Sequence, residues 1–255
     1  MSSRRLPGKV ARPILGRPML GLQIERVLRA KRIDRLVVAT STQPEDDRVA
    51  EVAEEFGASV FRGSLEDVLD RFYRAAEAHR SEYIVRLTGD CPLADPQLID
   101  AVIEYALNGG YDYASNTLTP TWPDGLDVEV VRFETLARAW RDAGADDERE
   151  HVMPYIWRRP QMFSLGSYEH KPDQSNLRWT VDEPEDFDFV SQVYERLYPD
   201  NPAFTTTDIL GLLAREPDVA AINAGHERNE GFQSSSASDT DNDAGNQTPN
   251  DGVTQ

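Results

Sequence analysis

Strand-length apolar runs alternate with amphipathic helical segments along most of the chain, and this alternation constrains the fold more than any other feature. The apolar runs predict strands over residues 35–39, 58–61, 83–87, 112–115, 127–131 and 177–181. Helical spacing predicts helices over residues 19–31, 44–56, 66–79, 95–107 and 184–197. Strands separated by helices form a mostly parallel sheet that is covered on both faces. We therefore expect an α/β fold, in which ligands bind at the carboxyl ends of the strands.

The composition changes at about residue 225, where the sequence becomes polar and remains so to its end. Phe232 and Val253 are the only sizeable apolar side chains in this stretch. Such a segment cannot bury enough surface to offset the entropy lost on ordering. We therefore predict one folded domain over residues 1–224 and a disordered acidic tail over residues 225–255, with a solubilising role favoured over partner binding.

Charge and cysteine content exclude several classes of protein. The chain has 255 residues and a net charge of −18, which would repel the phosphates of nucleic acids. Cys91 is the single cysteine, so neither an internal disulfide nor a multi-cysteine metal site can form. No apolar run reaches the length of a membrane span, and the polar, basic start shows no signal peptide. We expect a cytoplasmic protein without nucleic-acid or membrane partners.

The N-terminal segment 2–9 combines two hydroxyls, three cations, a glycine and a proline. Hydroxyls and cations in a short loop can bind phosphate oxygens. The glycine spacing is not that of a Walker loop. Composition alone favours a frayed basic N-terminus, with a phosphate-binding loop as the alternative.

Two aspartates directly follow predicted strands, Asp90 after the strand at 83–87 and Asp182 after the strand at 177–181. Mg²⁺ prefers hard oxygen ligands and takes only a few of them from the protein. The two carboxylates could therefore converge on one cation and neutralise charge in a phosphoryl-type transfer. Asp182 could equally cap the helix that begins at Pro184.

Neighbouring residues have simpler explanations. Asp95, directly before a proline, is predicted to cap the following helix. Glu185 and Asp186 lie in a first helical turn, where the helix dipole explains them. Cys91 has no evident base partner and is predicted to be a small buried residue. His151 has no companion histidine nearby and by itself indicates a structural, hydrogen-bonded residue.

Several short motifs follow one another in a characteristic order. They are Arg-Leu-Pro-Gly-Lys at 5–9, Gly-Arg-Pro-Met-Leu at 16–20, Thr-Gly-Asp-Cys-Pro at 88–92 and Val-Asp-Glu-Pro-Glu-Asp at 181–186. In order and spacing they resemble the cytidylyltransferase group of the nucleotide-diphospho-sugar transferase superfamily. The branch of the spore coat polysaccharide biosynthesis protein F is the most similar, through Phe-Arg-Gly-Ser at 61–64, Pro-Asp-Gly-Leu-Asp-Val-Glu at 123–129 and Arg-Glu-His-Val at 149–152.

This resemblance implies a three-layer α/β/α fold of the Rossmann-like, GT-A type with a mostly parallel mixed sheet. It also implies transfer of CMP from CTP to a sialic-acid-like or other nonulosonic sugar acid, which releases pyrophosphate and serves surface glycan synthesis. Ser3, Arg5 and Lys9 would hold the triphosphate, with Arg5 and Lys9 acting in catalysis. Asp90 and Asp182 would bind Mg²⁺.

The same resemblance suggests residues for the other two parts of the site. Arg62 and Arg71 lie where family members approach the nucleotide base. The acceptor sugar would be faced by Asp124, Asp127, Glu129 and His151.

Members of the family have an apolar first strand ending in Gln-Ala-Arg directly before the loop at 2–9. This sequence starts at Met1 instead. By the resemblance, the chain as given is expected to lack that central strand and one phosphate-binding arginine.

Two other functions and one assembly are open at the level of sequence. The chain could transfer another nucleotide or use a sugar nucleotide as a glycosyltransferase, or it could bind sugar nucleotides without catalysis. Apolar stretches at 118–122 and around Trp157 suggest a homodimer. The resemblance points the same way, since related enzymes are often dimers.

Arginine makes up most of the 27 basic residues, since only Lys9, Lys31 and Lys171 are lysines. An acid-rich, lysine-poor surface suits a salt-rich cytoplasm, because salt screens the repulsion between like charges. We predict that the free energy of unfolding rises with salt concentration, as measured by denaturant titrations at low and high potassium chloride. A stability indifferent to salt would contradict this hypothesis.

Overall fold

A computed structural model of the chain describes residues 6–226 and residue 228. The predicted roles of Ser3 and Arg5 concern residues outside this range. The same holds for the predicted tail, apart from residues 225, 226 and 228.

The described residues form eight strands and ten α-helices. The strands are β1 Pro13–Ile14, β2 Arg17–Pro18, β3 Val37–Ser41, β4 Ser59–Gly63, β5 Tyr83–Arg86, β6 Tyr113–Ser115, β7 Glu129–Arg132 and β8 Leu165–Ser167. The helices are α1 Met19–Val27, α2 Asp47–Glu55, α3 Val68–His79, α4 Pro96–Gly109, α5 Phe133–Asp142, α6 Asp146–His151, α7 Pro154–Trp157, α8 Pro184–Leu197, α9 Thr206–Arg215 and α10 Pro217–Ala220. Short 3₁₀ turns occupy Lys9–Ala11 and Pro44–Asp46.

The main sheet has four strands in the order β5-β7-β6-β8. Strand β7 runs antiparallel to both of its neighbours, whereas β6 and β8 are parallel. Strands β3 and β4 form a separate parallel pair, and β1 and β2 a short antiparallel hairpin. The α/β fold with a mixed sheet is therefore confirmed. The expectation that the sheet is mostly parallel is wrong for the main sheet, because two of its three strand pairings are antiparallel.

Two hydrophobic clusters lie on opposite faces of the main sheet. Ala114 and Val130 belong to the cluster that contains side chains of α1, α4, α8 and α9. Their strand neighbours Tyr113 and Val131 belong to the cluster that contains side chains of α3, α5 and α7. Because successive residues of a strand point to opposite faces, helices cover both sides of the sheet. This arrangement gives the three α/β/α layers that the family resemblance implied.

Most predicted elements are present, with ends shifted by a few residues. The helix predicted over 44–56 is a 3₁₀ turn followed by α2, and the helix predicted over 184–197 is α8. The pattern did not predict α5, α6, α7, α9, α10, β1, β2 or β8.

The strand predicted over residues 177–181 is wrong. Arg178 makes only a single parallel bridge, to Asp124. The backbone of this segment bonds to two separate loops instead of to a strand, since Trp179 N donates to Asp124 O at 2.6 Å and Val181 N to Asp90 O at 2.9 Å. Trp179 and Val181 are nevertheless buried in the core, and this burial produced the apolar, strand-like pattern.

Gly125 allows the loop that carries Asp124 to approach the 177–181 segment closely. Its φ is +102°, and a Cβ at this position would lie 2.4 Å from the backbone nitrogen of Thr180. Because the obstructing atoms are backbone, they cannot move aside as a flexible side chain would. This contact sets the distance between two segments that carry candidate site residues.

Among residues 6–226 and 228 there is no helix with the length and apolar character needed to cross a bilayer.

We predict that Gly125→Ala lowers the free energy of unfolding by more than about 3 kcal/mol, because it combines a left-handed backbone with a backbone clash. Urea denaturation measures the effect. Gly144→Ala is the matched control, since a Cβ there meets nothing within 4 Å, and its effect should stay within about 0.5 kcal/mol. Equal effects of the two substitutions would contradict the importance of the close approach.

Candidate active site

The ammonium group of Lys9 lies between the two strand-end aspartates that the sequence singled out. Its Nζ donates to Asp90 Oδ2 at 2.9 Å, to Asp182 Oδ1 at 2.8 Å and to the carbonyl oxygen of Val181 at 2.7 Å. Three segments far apart in sequence meet here: the turn that begins at Lys9, the loop after β5 and the loop before α8. Gly8, with a φ of 68°, gives the backbone the left-handed turn that precedes Lys9.

Burial and charge act in opposite directions on this cluster. Burial by itself lowers the pKa of Lys9, but the neighbouring Asp90 and Asp182 outweigh it and raise the pKa above the ordinary lysine value. Burial likewise raises the pKa of Asp90, and the charge and hydrogen bond of Lys9 lower it overall. At neutral pH Lys9 is therefore an ammonium ion and Asp90 a carboxylate.

A buried ion pair between Arg178 and Asp186 lies directly behind this cluster. Arg178 Nε donates to Asp186 Oδ1 and Nη2 to Oδ2, both at 2.9 Å. The Asp186 side chain is 0% exposed and that of Arg178 is 5% exposed, so water does not screen the pair. Asp186 Oδ2 also accepts the backbone N–H groups of Asp182 and Glu183, each at 3.0 Å. The pair thus fixes the loop that presents Asp182.

This arrangement corrects two interpretations made from the sequence. The N-cap of α8 is Glu183, which forms a capping box with Asp186, and not Asp182. The helix dipole alone does not account for Asp186, since the residue forms the buried pair with Arg178. Burial raises the pKa of Asp186, but Arg178 and the backbone N–H groups lower it overall. The predicted cap at Asp95 is confirmed by bonds from the N–H groups of Gln97 and Leu98.

A cavity of about 380 Å³, lined by both charged and apolar side chains, opens next to the loop that carries Asp90. Its lining residues include Arg86, Thr88, Leu118, Asp127, Glu129, His151, Trp157 and Arg228. Glu129 is fully engaged, because Tyr113 Oη donates to its Oε1 at 2.7 Å and Arg86 pairs with its Oε2. Three of the four residues predicted to face the acceptor therefore share one cavity, next to the loop that carries Asp90.

Asp124, the fourth of these residues, borders a neighbouring cavity of about 410 Å³. Arg178 Nη1 lies 3.4 Å from Asp124 Oδ2. Arg228 lines both cavities and pairs with Asp127 Oδ1 at 2.7 Å. The sequence placed Arg228 in the acidic tail, yet this residue borders both cavities.

Arg62 and Arg71 lie in a different part of the structure from Lys9. Arg62 donates to the carbonyl oxygens of Ser41 and Gln43, each at 2.8 Å, and pairs with Asp47 at 2.6 Å. Arg71 donates to the carbonyl oxygen of Ser64. Both therefore hold the loops at the carboxyl ends of β3 and β4, and their contact with a nucleotide base stays a prediction.

Two smaller expectations concern Cys91 and the apolar stretches. Cys91 is buried, and burial raises the pKa of its thiol well above the usual value, which fits the predicted packing role.

The side chains of the apolar stretches contact other parts of the same chain. Leu118 and Trp157 line the 380 Å³ cavity, and Trp122 packs on His170 with ring centroids 4.3 Å apart. These stretches thus give no support to a homodimer, which stays a prediction from the family resemblance.

Sequence reasoning missed the cations that organise the carboxylates, namely Arg86, Arg178 and Arg228. Arg86 and Arg178 each lie within a predicted buried strand, where an arginine requires a carboxylate partner. The need of a buried arginine for an acidic partner could therefore have indicated that Arg86 and Arg178 pair with carboxylates, which are Glu129 and Asp186. No comparable signal marks Arg228, which lies in a polar segment.

Asp90 and Asp182 offer carboxylate oxygens to a single point, at present held by the Lys9 ammonium. This set of hard oxygen donors fits Mg²⁺, which completes its shell with water and phosphate oxygens. In the part of the chain that the structure describes, no cluster of three or more His, Cys, Asp or Glu side chains is arranged to hold a metal ion.

Comparisons with known proteins agree with this geometry. The family described as cytidylyltransferase matches residues 1–201. The spore coat polysaccharide biosynthesis protein SpsF of Bacillus subtilis (strain 168) is 36% identical over 228 residues, covering 86% of this chain and 93% of that protein. A 3-deoxy-manno-octulosonate cytidylyltransferase of Anaeromyxobacter sp. (strain K) is 37% identical over 157 residues, covering 60% of this chain and 54% of that protein.

A solved structure is also similar over most of its length. It is a cytidylyltransferase from Leptospira borgpetersenii serovar Hardjo-bovis (strain JB197), with a TM-score of 0.82 and 32% identity. The match covers 86% of this chain and 92% of that structure.

We predict that Asp186→Asn lowers the free energy of unfolding by about 3–5 kcal/mol, because it leaves the buried charge of Arg178 uncompensated. Glu51→Gln, which breaks the exposed pair with Arg48, is the control and should cost less than about 1 kcal/mol. Denaturant titrations measure both changes.

The pair should also make stability depend on pH. Its contribution is present above the pKa of the unfolded carboxyl, about 3.9. It is lost as the pH falls through the lower pKa of folded Asp186. The Asp186→Asn variant should therefore lack this acid-dependent part, and an unchanged acid dependence would contradict the assignment.

Proposed function

The chain belongs to the cytidylyltransferase family and is a cytidylyltransferase, and from this premise we propose that it transfers CMP from CTP to a sugar acid. The products would be a CMP-sugar and pyrophosphate. The observation that carries the proposal is the convergence of Lys9, Asp90 and Asp182 beside the 380 Å³ cavity. A lysine for phosphate oxygens and two carboxylates for Mg²⁺ suit a triphosphate. The acidic and basic side chains of the cavity next to them suit a hydroxylated acceptor.

The residues of the cluster would each take part in binding the triphosphate. Lys9, kept protonated by its two carboxylate neighbours, would turn its ammonium toward phosphate oxygens, and Ser3 and Arg5 of the same segment would add donors. Asp90 and Asp182, once released from Lys9, would hold Mg²⁺. When bound, Mg²⁺ would supply charge that stabilises the departing pyrophosphate. The buried Arg178–Asp186 pair would keep Asp182 in place during this exchange.

The acceptor would occupy the 380 Å³ cavity. Its hydroxyls would bond to Asp127, Glu129 and His151, with Asp124 at the border of the neighbouring cavity. Arg86 and Arg228 both line this cavity, and either would pair with the carboxylate of the acceptor. The name of the Anaeromyxobacter relative, which specifies a sugar acid, supports this class of acceptor. Within that class we propose a nonulosonic, sialic-acid-like substrate.

Arg62 and Arg71 would order the loops that approach the nucleotide base. Their own bonds to the carbonyl oxygens of Ser41, Gln43 and Ser64 suggest that they act by holding backbone, which can in turn contact a base edge.

The wider setting follows from the same premise. The name of the Bacillus subtilis relative supports a role in the synthesis of a surface polysaccharide. We propose a cytoplasmic location, where CTP is made and where a lone cysteine such as Cys91 stays reduced. A homodimer is proposed from the family alone.

The proposal predicts that the full chain releases pyrophosphate when CTP and a sugar acid are both present. A pyrophosphate-release assay should compare the four ribonucleoside triphosphates against a panel of sugar acids and neutral sugars. Turnover with another triphosphate would identify that nucleotide, and not CTP, as the donor. Consumption of a sugar nucleotide without pyrophosphate would indicate a glycosyltransferase, and binding of CTP without turnover a non-catalytic protein.

Substitutions in the cluster serve as internal controls for this assay. Asp90→Asn and Asp182→Asn should each lower kcat/KM by about 10²–10³-fold, because each weakens the hold on the Mg²⁺ ion that would stabilise the charge of the transition state. Asp34→Asn makes the same chemical change at an exposed position and should leave turnover unchanged. Full turnover by both cluster variants would refute the metal assignment.

A further inference from the structure

We propose that Asp127 is the base that removes the proton from the acceptor hydroxyl. This inference rests on the proposed function and assigns a role within its acceptor cavity. The observation that carries it is the distribution of partners among the carboxylates of the site, because a base needs a free oxygen within reach of the acceptor.

The other carboxylates of the site are already engaged. Glu129 uses one oxygen for Tyr113 and the other for Arg86. Asp90 and Asp182 hold Lys9 and form the phosphate side of the site. Asp124 is only 6% exposed and pairs with Arg178.

Asp127 differs from these groups in combining an oxygen without a described hydrogen bond with a side chain that is open to a ligand. Its Oδ1 accepts from Arg228 at 2.7 Å, whereas its Oδ2 accepts no hydrogen bond from any residue that the structure describes. The side chain is 29% exposed, which leaves it accessible to a ligand. It lines the same cavity as Thr88, two residues before Asp90, so the cavity brings an acceptor next to the phosphate-binding cluster.

The charges around Asp127 bring the pKa of its carboxyl near neutral pH. Burial raises its pKa, Arg228 lowers it, and Asp124, Glu129 and Asp90 raise it again, which leaves the pKa at about 7. The other ionisable groups of the cavity are Arg86, held by Glu129, and His151, whose pKa is lowered by burial. A base with a pKa near the working pH is both available in its ionised form and strong enough to accept a proton.

The chemical step balances with Asp127 in this role. The acceptor hydroxyl gives its proton to Asp127 Oδ2 while its oxygen forms the new bond to the α-phosphorus of CTP. The bond between the α-phosphorus and the bridging oxygen to the β-phosphorus breaks, and pyrophosphate leaves with that electron pair. Asp127 then loses its proton to solvent through the open side of the cavity.

Arg228 is the positioning residue for this base. Its Nη1 donates to the carbonyl oxygen of Trp122 at 2.9 Å and its Nη2 to Asp127 at 2.7 Å, so the guanidinium ties the carboxylate to the backbone. Its positive charge also lowers the pKa of Asp127. Arg228 thereby controls both the orientation and the basicity of this carboxylate.

The test is the pH dependence of kcat for pyrophosphate release by the full chain, with saturating CTP and acceptor. The wild-type rate should rise with pH through about 7, as Asp127 loses its proton. Asp127→Asn should lower kcat by about 10²–10⁴-fold and remove this acidic limb, with CTP affinity unchanged. Arg228→Gln should move the limb to higher pH, and Arg228→Lys should move it part of the way back. Asp34→Asn is the control and should reproduce the wild-type profile.

Specific results would overturn the inference. An acidic limb that survives in Asp127→Asn excludes Asp127 as the base, and a limb that is lost in His151→Gln alone assigns the role to His151. A difference infrared titration of wild type against Asp127→Asn reports the same protonation without turnover, and a midpoint below pH 5 also excludes the role. Absence of turnover by the wild type with every acceptor refutes the proposed function itself, and the infrared midpoint then decides only the ionisation of Asp127.

Discussion

The buried ion pair between Arg178 and Asp186 is the interaction on which the rest of the site depends. Both side chains are shielded from water, so each charge requires the other. Asp186 also accepts the backbone N–H groups of Asp182 and Glu183, and thus joins the start of α8 to the loop before it. Arg178 reaches Asp124 on the opposite loop. Two segments that carry site carboxylates are fixed by this one pair, together with the close approach that Gly125 permits.

The site as a whole is a set of matched charges within a strongly acidic chain. Lys9 balances Asp90 and Asp182, Arg86 balances Glu129, and Arg228 balances Asp127. Such matching holds the carboxylates in place before any ligand arrives. In the proposed function a triphosphate brings additional negative charge, and Lys9 would exchange its carboxylate partners for phosphate oxygens. Asp127 stands apart, since the described residues bond to only one of its oxygens and its carboxyl lies among other acidic groups.

The sequence predicted some residues of this arrangement correctly and others wrongly. Lys9, Asp90 and Asp182 were assigned to one site from their order along the chain, and the structure brings them within hydrogen-bonding distance. The cap at Asp95 and the burial of Cys91 were also predicted correctly. The strand at 177–181 was predicted wrongly, because burial of Trp179 and Val181 imitates a strand while the backbone bonds to two loops. The partners of Arg86 and Arg228 were not predicted, since they lie 43 and 101 residues away in the sequence. Asp186 lies only eight residues after Arg178, but its position in a first helical turn was explained by the helix dipole alone.

The sequence by itself determined the alternation of strands and helices, the family, and the two aspartates, Asp90 and Asp182, that meet at Lys9. These properties are local, because they depend on the period of apolar residues and on short motifs. Tertiary structure alone decided that β7 runs antiparallel to both neighbours and that Asp186 is a buried partner of Arg178. It also decided that, among the described residues, Arg228 bonds to one oxygen of Asp127 and leaves the other without a hydrogen bond. The physical reason is that hydrogen bonding and the pKa of a carboxylate depend on which charges surround it in space, and those charges come from distant parts of the chain.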